Sequence, residues 1–184
     1  MTVGVRGMAA TDCAAVARIR VRGWQFAYQG LVPDAFLSAM SVPEETARRR
    51  DHLAAAPAEV VNLVAERAGE VVGWACHGPY RDGGAVTADA ELYALYVDPA
   101  HLSTGVGRAL LLESAARATA AGYPAMRLWV LKDNSRARRF YEAFGFAPDG
   151  TEELWEIGGA SLPELRCARP LSGPLSRGGR AVRP

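Results

Sequence analysis

Lysine is all but missing from this chain. Lys132 is the only one, and arginine supplies the rest of the 21 basic residues. These are balanced by 20 acidic residues, leaving a formal net charge of +1. No global basic field is therefore available to hold nucleic acid or an anionic membrane. Cysteine is scarce as well. Cys13, Cys76 and Cys167 are odd in number and far apart. That excludes a disulfide framework and a Cys-x-x-Cys metal motif, and it fits reduced thiols in the cytoplasm. No apolar stretch is long enough to span a bilayer, and residues 1–6 lack the basic segment and apolar run of a signal peptide. Two phosphate signatures are missing too. Without Gly-Lys-Ser/Thr there is no P-loop, and with only two suitably placed glycines the dinucleotide fingerprint fails. His52, His77 and His101 are scattered. No metal-ligand cluster emerges from them, and His101, in a loop, is the best placed of the three to touch a ligand.

What is present suits one folded domain. The chain has 184 residues, 49% hydrophobic and 22% charged, enough to bury a core without disulfides or a structural metal. Residues 1–170 are expected to form a single domain, and the Gly-, Pro-, Ser- and Arg-rich stretch 171–184 a flexible tail. A short strand is expected at 3–6, and a helix from Thr11–Asp12 toward Gly30 with Val16, Ile19, Gly23 and Phe26 at helical spacing. Ser41-Val42-Pro43-Glu44 predicts a second helix through about Ala55. Strands at 60–66 and 71–77 should pair as a hairpin, with a loop over 80–88. Then come a strand at 90–97, a helix at 105–121, a strand at 126–131 and a helix from Asn134 to Phe144. Two late strands, 154–157 and 162–168, flank Gly158-Gly159. Hairpins at both ends around a strand–helix–strand centre predict an α/β (α+β) fold, a mixed sheet with helices on its faces.

The chemistry concentrates in two segments. From Glu91 to Leu112 a strand leads through Asp98-Pro99 and a small-residue loop into a helix. Gly105 and Gly107 let a ligand approach the backbone, and the unpaired amides at the helix start make a phosphate site. From Leu128 to Phe146 an apolar strand is followed by Asn134, Ala137, Phe140, Tyr141 and Phe144-Gly145-Phe146. Taken alone, the first segment reads equally well as a tight helix start, and the second reads as core aromatics rather than as a catalytic site.

Together, Tyr96-Val97-Asp98-Pro99, Thr104-Gly-Val-Gly-Arg-Ala-Leu-Leu and Asn134…Phe140-Tyr141…Phe146 resemble the GCN5-related N-acetyltransferase family. The resemblance covers residues 60–146 and reaches Trp24, Tyr28 and Pro33, as in one bacterial branch. It implies a mostly antiparallel sheet whose central strands splay. It also implies acetyl-CoA as cosubstrate, without a metal. The cofactor contacts would come from Leu95, Tyr96 and Val97, from the loop Leu102, Ser103, Thr104, Gly105, Val106, Gly107 and Arg108, and from Asn134, Ala137 and Tyr141. The loop departs from the family pattern, which places Gln or Arg, Gly, then Arg or Lys where this chain has Leu102, Ser103 and Thr104.

By the same resemblance Tyr141 is the acid that protonates the leaving thiolate. Glu91, read as aligned with Tyr93, Leu95 and Val97 on one strand, is the general base. Trp24, Tyr28 and Tyr93 are expected to line the acceptor pocket. The motifs identify the acyl donor far better than the acceptor. A small-molecule amine, a protein or peptide amine, and a non-catalytic acyl-CoA sensor all remain compatible with them. The expected partners are a small-molecule amine and, as in relatives, a second copy of the chain pairing through the late strands.

Overall fold

A computed structural model of the protein describes residues 2–172. Its strands are β1 (Gly4–Gly7), β2 (Val61–Arg67), β3 (Glu70–Asp82), β4 (Ala85–Val97), β5 (Ala125–Leu131), β6 (Ala147–Ile157) and β7 (Ala160–Pro170). Its α-helices are α1 (Cys13–Ala27), α2 (Asp34–Ala39), α3 (Val42–Ala55), α4 (Val106–Ala120) and α5 (Ser135–Glu142). Among the described residues the strands form one seven-stranded sheet in the order β1-β2-β3-β4-β5-β7-β6. Neighbours run antiparallel except β4 and β5. This is the mixed, mostly antiparallel architecture expected from the sequence.

Helices cover both faces. Val106, Leu110 and Leu111 of α4 pack with Leu63, Ala75, Leu92, Leu128 and Leu165 in the larger core. On the opposite face Val16 of α1 packs with Val64 and Trp74. α4 lies very close to the sheet at Gly73. A Cβ there would fall 2.8 Å from Val106 Cγ1 and 2.9 Å from Leu110 Cδ1, so glycine is what lets the helix over the cleft sit this deep.

Local signals placed most elements. Ser41 caps α3 by accepting the Glu44 amide, with Pro43 in the first turn, as its sequence requires. Asn134 caps α5 through Ala137 N. Gly145, at φ +83, terminates that helix region.

Four expectations needed correction. The loop expected over 80–88 is a hairpin, because Arg81 pairs with Val86 and Asp82 with Ala85 around Gly83-Gly84. Both glycines have positive φ, so two residues complete the turn and the strands run up to it. The late strands are also longer than expected, since an irregular register between Pro148 and Glu152 lets β6 continue past Pro148 and Gly150. α2 was not expected; its six residues are too few to show a helical period. Phe26, at helical spacing with core residues, is 50% exposed.

The anchored chain runs slightly past the expected domain end. Leu171 is buried and its amide donates to Pro124 O. Residues 173–184 of the expected tail lie outside the described residues. Cys13, Cys76 and Cys167 are buried free thiols. Among the described residues no helix is long and apolar enough to cross a membrane.

Candidate active site

β4 and β5 pair only at Ala90–Met126 and Glu91–Arg127. Beyond Glu91 the two strands part, and the wedge between them opens into a cleft of about 470 Å³. Which backbone groups face that wedge follows from alternation along the strand. Asp98 N donates to Val72 O on β3, and Tyr96 O lies toward Gly73, also on β3. Leu95 and Val97 therefore present their amides and carbonyls to the β5 side, where no strand pairs with them. Both residues line the cleft.

At one end of the cleft the chain turns through Leu102 and Ser103 (φ +62) into Gly105 (φ +93), which caps α4 without a side-chain hydrogen bond. Leu102, Ser103, Gly105, Gly107 and Arg108 line this end, as does Arg136 from α5. The α4 amides, its dipole and the two arginines give an anion-seeking pole. A Cβ at Gly107 would meet Phe140 Cζ and Val97 Cγ2 at 3.5 Å, so strand, loop and α5 converge there. Asn134, Ala137, Phe140 and Tyr141 form the α5 wall. Asn134 Oδ1 is engaged as the helix cap at 3.1 Å from Ala137 N.

Tyr141 stands where α5 meets the wedge, held edge-on by Phe140 (5.2 Å between centroids) and Phe146 (5.9 Å). Burial, with Tyr96 adjacent, pushes its phenol well above the ordinary value, so it stays protonated across the physiological range. Tyr28 and Tyr96 are raised for the same first reason, burial. Trp24 Nε1 donates to Tyr96 Oη at 2.9 Å.

Glu91 is held up to about 7, first by burial and then by the negative charge of Glu164. Glu164, on β7, lines the cleft and is itself raised, by burial and by Glu153. A carboxylate near 7 is half ionised at neutral pH, which suits a base.

Several expected site residues are placed otherwise. The side chains of Ala90 and Leu92 share the α4 face with Leu95 and Val97, whereas Ala94 and Tyr96 pack on the α1 side. Simple alternation would join 92 to 94 and 91 to 95. The reason is a bulge: Cys76 pairs with Ala94 and His77 with Leu92, leaving Tyr93 as the extra residue. Glu91 thus faces the α1 side with Tyr96, not the side of Leu95 and Val97. It sits at the apex of the wedge and does not line the cleft.

Trp24 is core. It is 6% exposed, packed edge-on with Tyr28 and Trp155, and positions Tyr96 instead of meeting a ligand. Tyr28 and Tyr93 do line the cleft, and the Tyr93 hydroxyl donates to Pro79 O. Tyr96 contributes its side chain, its backbone being turned to β3. Val106 is fully buried in the core. Thr104 Oγ1 donates to His101 O. Neither Thr104, Val106 nor His101 lines the cleft. Glu164, Phe26, Trp129 and Arg136 do and were passed over. Of these only Glu164 carries a sequence signal, an acidic residue between Leu162 and Leu165 in a strand whose other charges are Arg166 and Arg169.

Comparison with known proteins agrees with this geometry. The Acetyltransferase (GNAT) family model matches residues 24–146. The uncharacterized N-acetyltransferase YuaI of Bacillus subtilis is 29% identical over 169 residues, covering 91% of this chain and 93% of its own. The uncharacterized N-acetyltransferase Rv2669 of Mycobacterium tuberculosis is 33% identical over 146 residues, covering 77% of this chain and 86% of its own. Among solved structures, the PaiA N-acetyltransferase of Thermoplasma acidophilum in complex with coenzyme A superposes with a TM-score of 0.70 at 20% identity, covering 89% of this chain and 98% of that one. With a family match that spans both chemical segments, the chain belongs to the GNAT family of acetyltransferases.

Proposed function

We propose that the protein transfers acetyl from acetyl-CoA to a primary amine of a small molecule, by direct attack in a ternary complex. The observation that carries this reading is the cleft's polarity. Open backbone groups of Leu95 and Val97 lead from an anion-seeking pole at α4 to a half-buried pair of carboxylates. The residues fit acetyl-CoA on that basis. The α4 amides with Arg108 and Arg136 would hold its phosphates, and the β4 edge its amide-bearing arm. Bound there, acetyl-CoA supplies an activated thioester.

The chain's own groups perform the rest. An amide of the β4 edge donates to the thioester carbonyl and stabilises the oxyanion that develops. Glu91, reached through water from the apex of the wedge, takes the proton of the incoming ammonium. The freed nitrogen forms the new C–N bond, the C–S bond breaks, Tyr141 donates its proton to the leaving sulfur, and the second proton of the attacking nitrogen passes to the Tyr141 oxygen, restoring the phenol. Burial makes Tyr141 a weaker acid in the site than a phenol in water. The same burial raises the thiol too, which narrows the gap between them. Holding both reactants together supplies much of the acceleration.

A small acceptor is favoured by the contact of α1 with α5 beside the cleft. There the Arg136 guanidinium lies over the Phe26 ring at 5.5 Å, joining the two helices. The edge strand β6 exposes Leu154 (69%), which supports a homodimer pairing there. The test of function is release of free thiol from acetyl-CoA with a panel of amines, with the products read by mass. One thiol per acetylated small amine is expected. Thiol release without acetyl-amine, or acetylation of peptides alone, would overturn the reading.

A further inference from the structure

We infer that Glu164 is the residue that recognises the acceptor, docking an ammonium group carried on a flat apolar body such as an arylalkylamine. The inference rests on the reading of this cleft as the site of acetyl transfer. Its starting point is a contrast among the acidic residues. Of those that are buried or half-buried, Asp12 and Glu66 pair with Arg6, Glu45 with Arg20, Arg48 and Arg49, Asp98 with Arg22, Asp89 with Arg127, and Glu113 with Arg117. Among the described residues only Glu91 and Glu164 share that degree of burial without a basic partner. Both belong to the same wedge.

A carboxylate removed from water without a counter-charge is unfavourable, and a protein rich in arginine had the means to neutralise it. Arginines of the surrounding elements are committed elsewhere. Arg166, two residues along β7, is bound to Asp149, Tyr80 and Thr151. Arg127 is bound to Asp89 and Asp149, and Arg20 to Glu45. Glu164 is left facing the cleft, with Glu153 opposite it on β6 adding more negative charge. The missing cation is thus supplied from outside.

The surroundings fix its class. Tyr28, Tyr93 and Trp129 line the same cleft. Glu164 interacts electrostatically with Tyr28, Tyr96 and Glu91. Aromatic walls around a desolvated carboxylate favour a cation with flat apolar surface. Glu164 holds the ammonium, while Glu91, deeper in the wedge, receives the proton when it leaves.

The test compares phenethylamine, cationic at neutral pH, with phenethyl alcohol, its uncharged analogue. Each is titrated by calorimetry into the full chain saturated with CoA. In the wild type the amine should bind about tenfold or more tighter than the alcohol. Glu164→Gln should bring the two within about threefold, chiefly by weakening the amine. Glu91→Gln should keep most of the preference. Equal binding in the wild type, which needs no variant, overturns the inference. So does a preference that survives Glu164→Gln or is abolished by Glu91→Gln instead. The glutamine at 164 relieves repulsion from Glu153, so the fold should be kept. Because neither titration needs turnover, its failure is separable from failure of the thiol-release test.

Discussion

Replacing Tyr141 by Phe should lower turnover about a hundredfold or more, within the range removed with a general acid, while acetyl-CoA affinity changes by less than about threefold. The ring makes the structural contacts. It packs edge-on with Phe140 and Phe146, and the Tyr141 carbonyl accepts the Phe144 and Phe146 amides that close the end of α5. All of these survive in Phe. Only the hydroxyl is lost, which burial keeps protonated and which is the group proposed as the acid. Steady-state kinetics with calorimetry separates the cases. Loss of kcat with acetyl-CoA affinity retained is the expected result. Unchanged kcat would show that the hydroxyl is not the acid.

Glu91→Gln should produce the second large effect, and its size should depend on pH. An alkylammonium of pKa ~10.4 leaves on the order of one neutral amine in a few thousand at pH 7, so an enzyme without a base loses about 10²–10³ in rate there. Glu91 is held up to about 7. The wild-type rate should therefore climb as pH rises through that value and then level. The variant should have no inflection there and climb steadily, so the deficit shrinks as pH rises and free amine accumulates.

Stability should move oppositely. The folded state binds the Glu91 proton more tightly than the unfolded chain, whose carboxyl has the ordinary 4.5. That contribution is complete below the ordinary value and is lost as pH rises through about 7. Above it, ionised Glu91 is a buried, unpaired charge, and the Gln variant should unfold at a higher temperature than wild type at pH 8. A parallel pH–rate profile together with unchanged thermal stability would remove Glu91 from the mechanism.

The strand–loop–helix and strand–helix segments were legible in the sequence because their signals are local. Gly105 and Gly107 mark the start of α4, Asn134 caps α5, and Pro99 sets the turn. These place the anion-seeking pole directly. What was not legible depends on pairing between distant strands. The bulge at Tyr93 arises from how β3 meets β4, and it moves Glu91 to the opposite face from Leu95 and Val97. Trp24 reads as a pocket aromatic from the family resemblance, but Trp155, brought in by β6, buries it. Glu164 stands out for the absence of a partner, a property visible only once Arg166 and Arg127 are seen to be bound elsewhere.

Leu102, Ser103 and Thr104 bear most directly on the central claim, that the wedge between β4 and β5 receives acetyl-CoA. Ser103 and Leu102 line the cleft while Thr104 turns away. The phosphate site then depends on α4 amides, Arg108 and Arg136, with no basic side chain in the loop itself. Titration of acetyl-CoA into the protein by calorimetry decides whether that suffices. The account predicts one site per chain with Kd in the range of about 1 μM to 1 mM typical of enzyme substrates. Absence of binding at millimolar acetyl-CoA would contradict it.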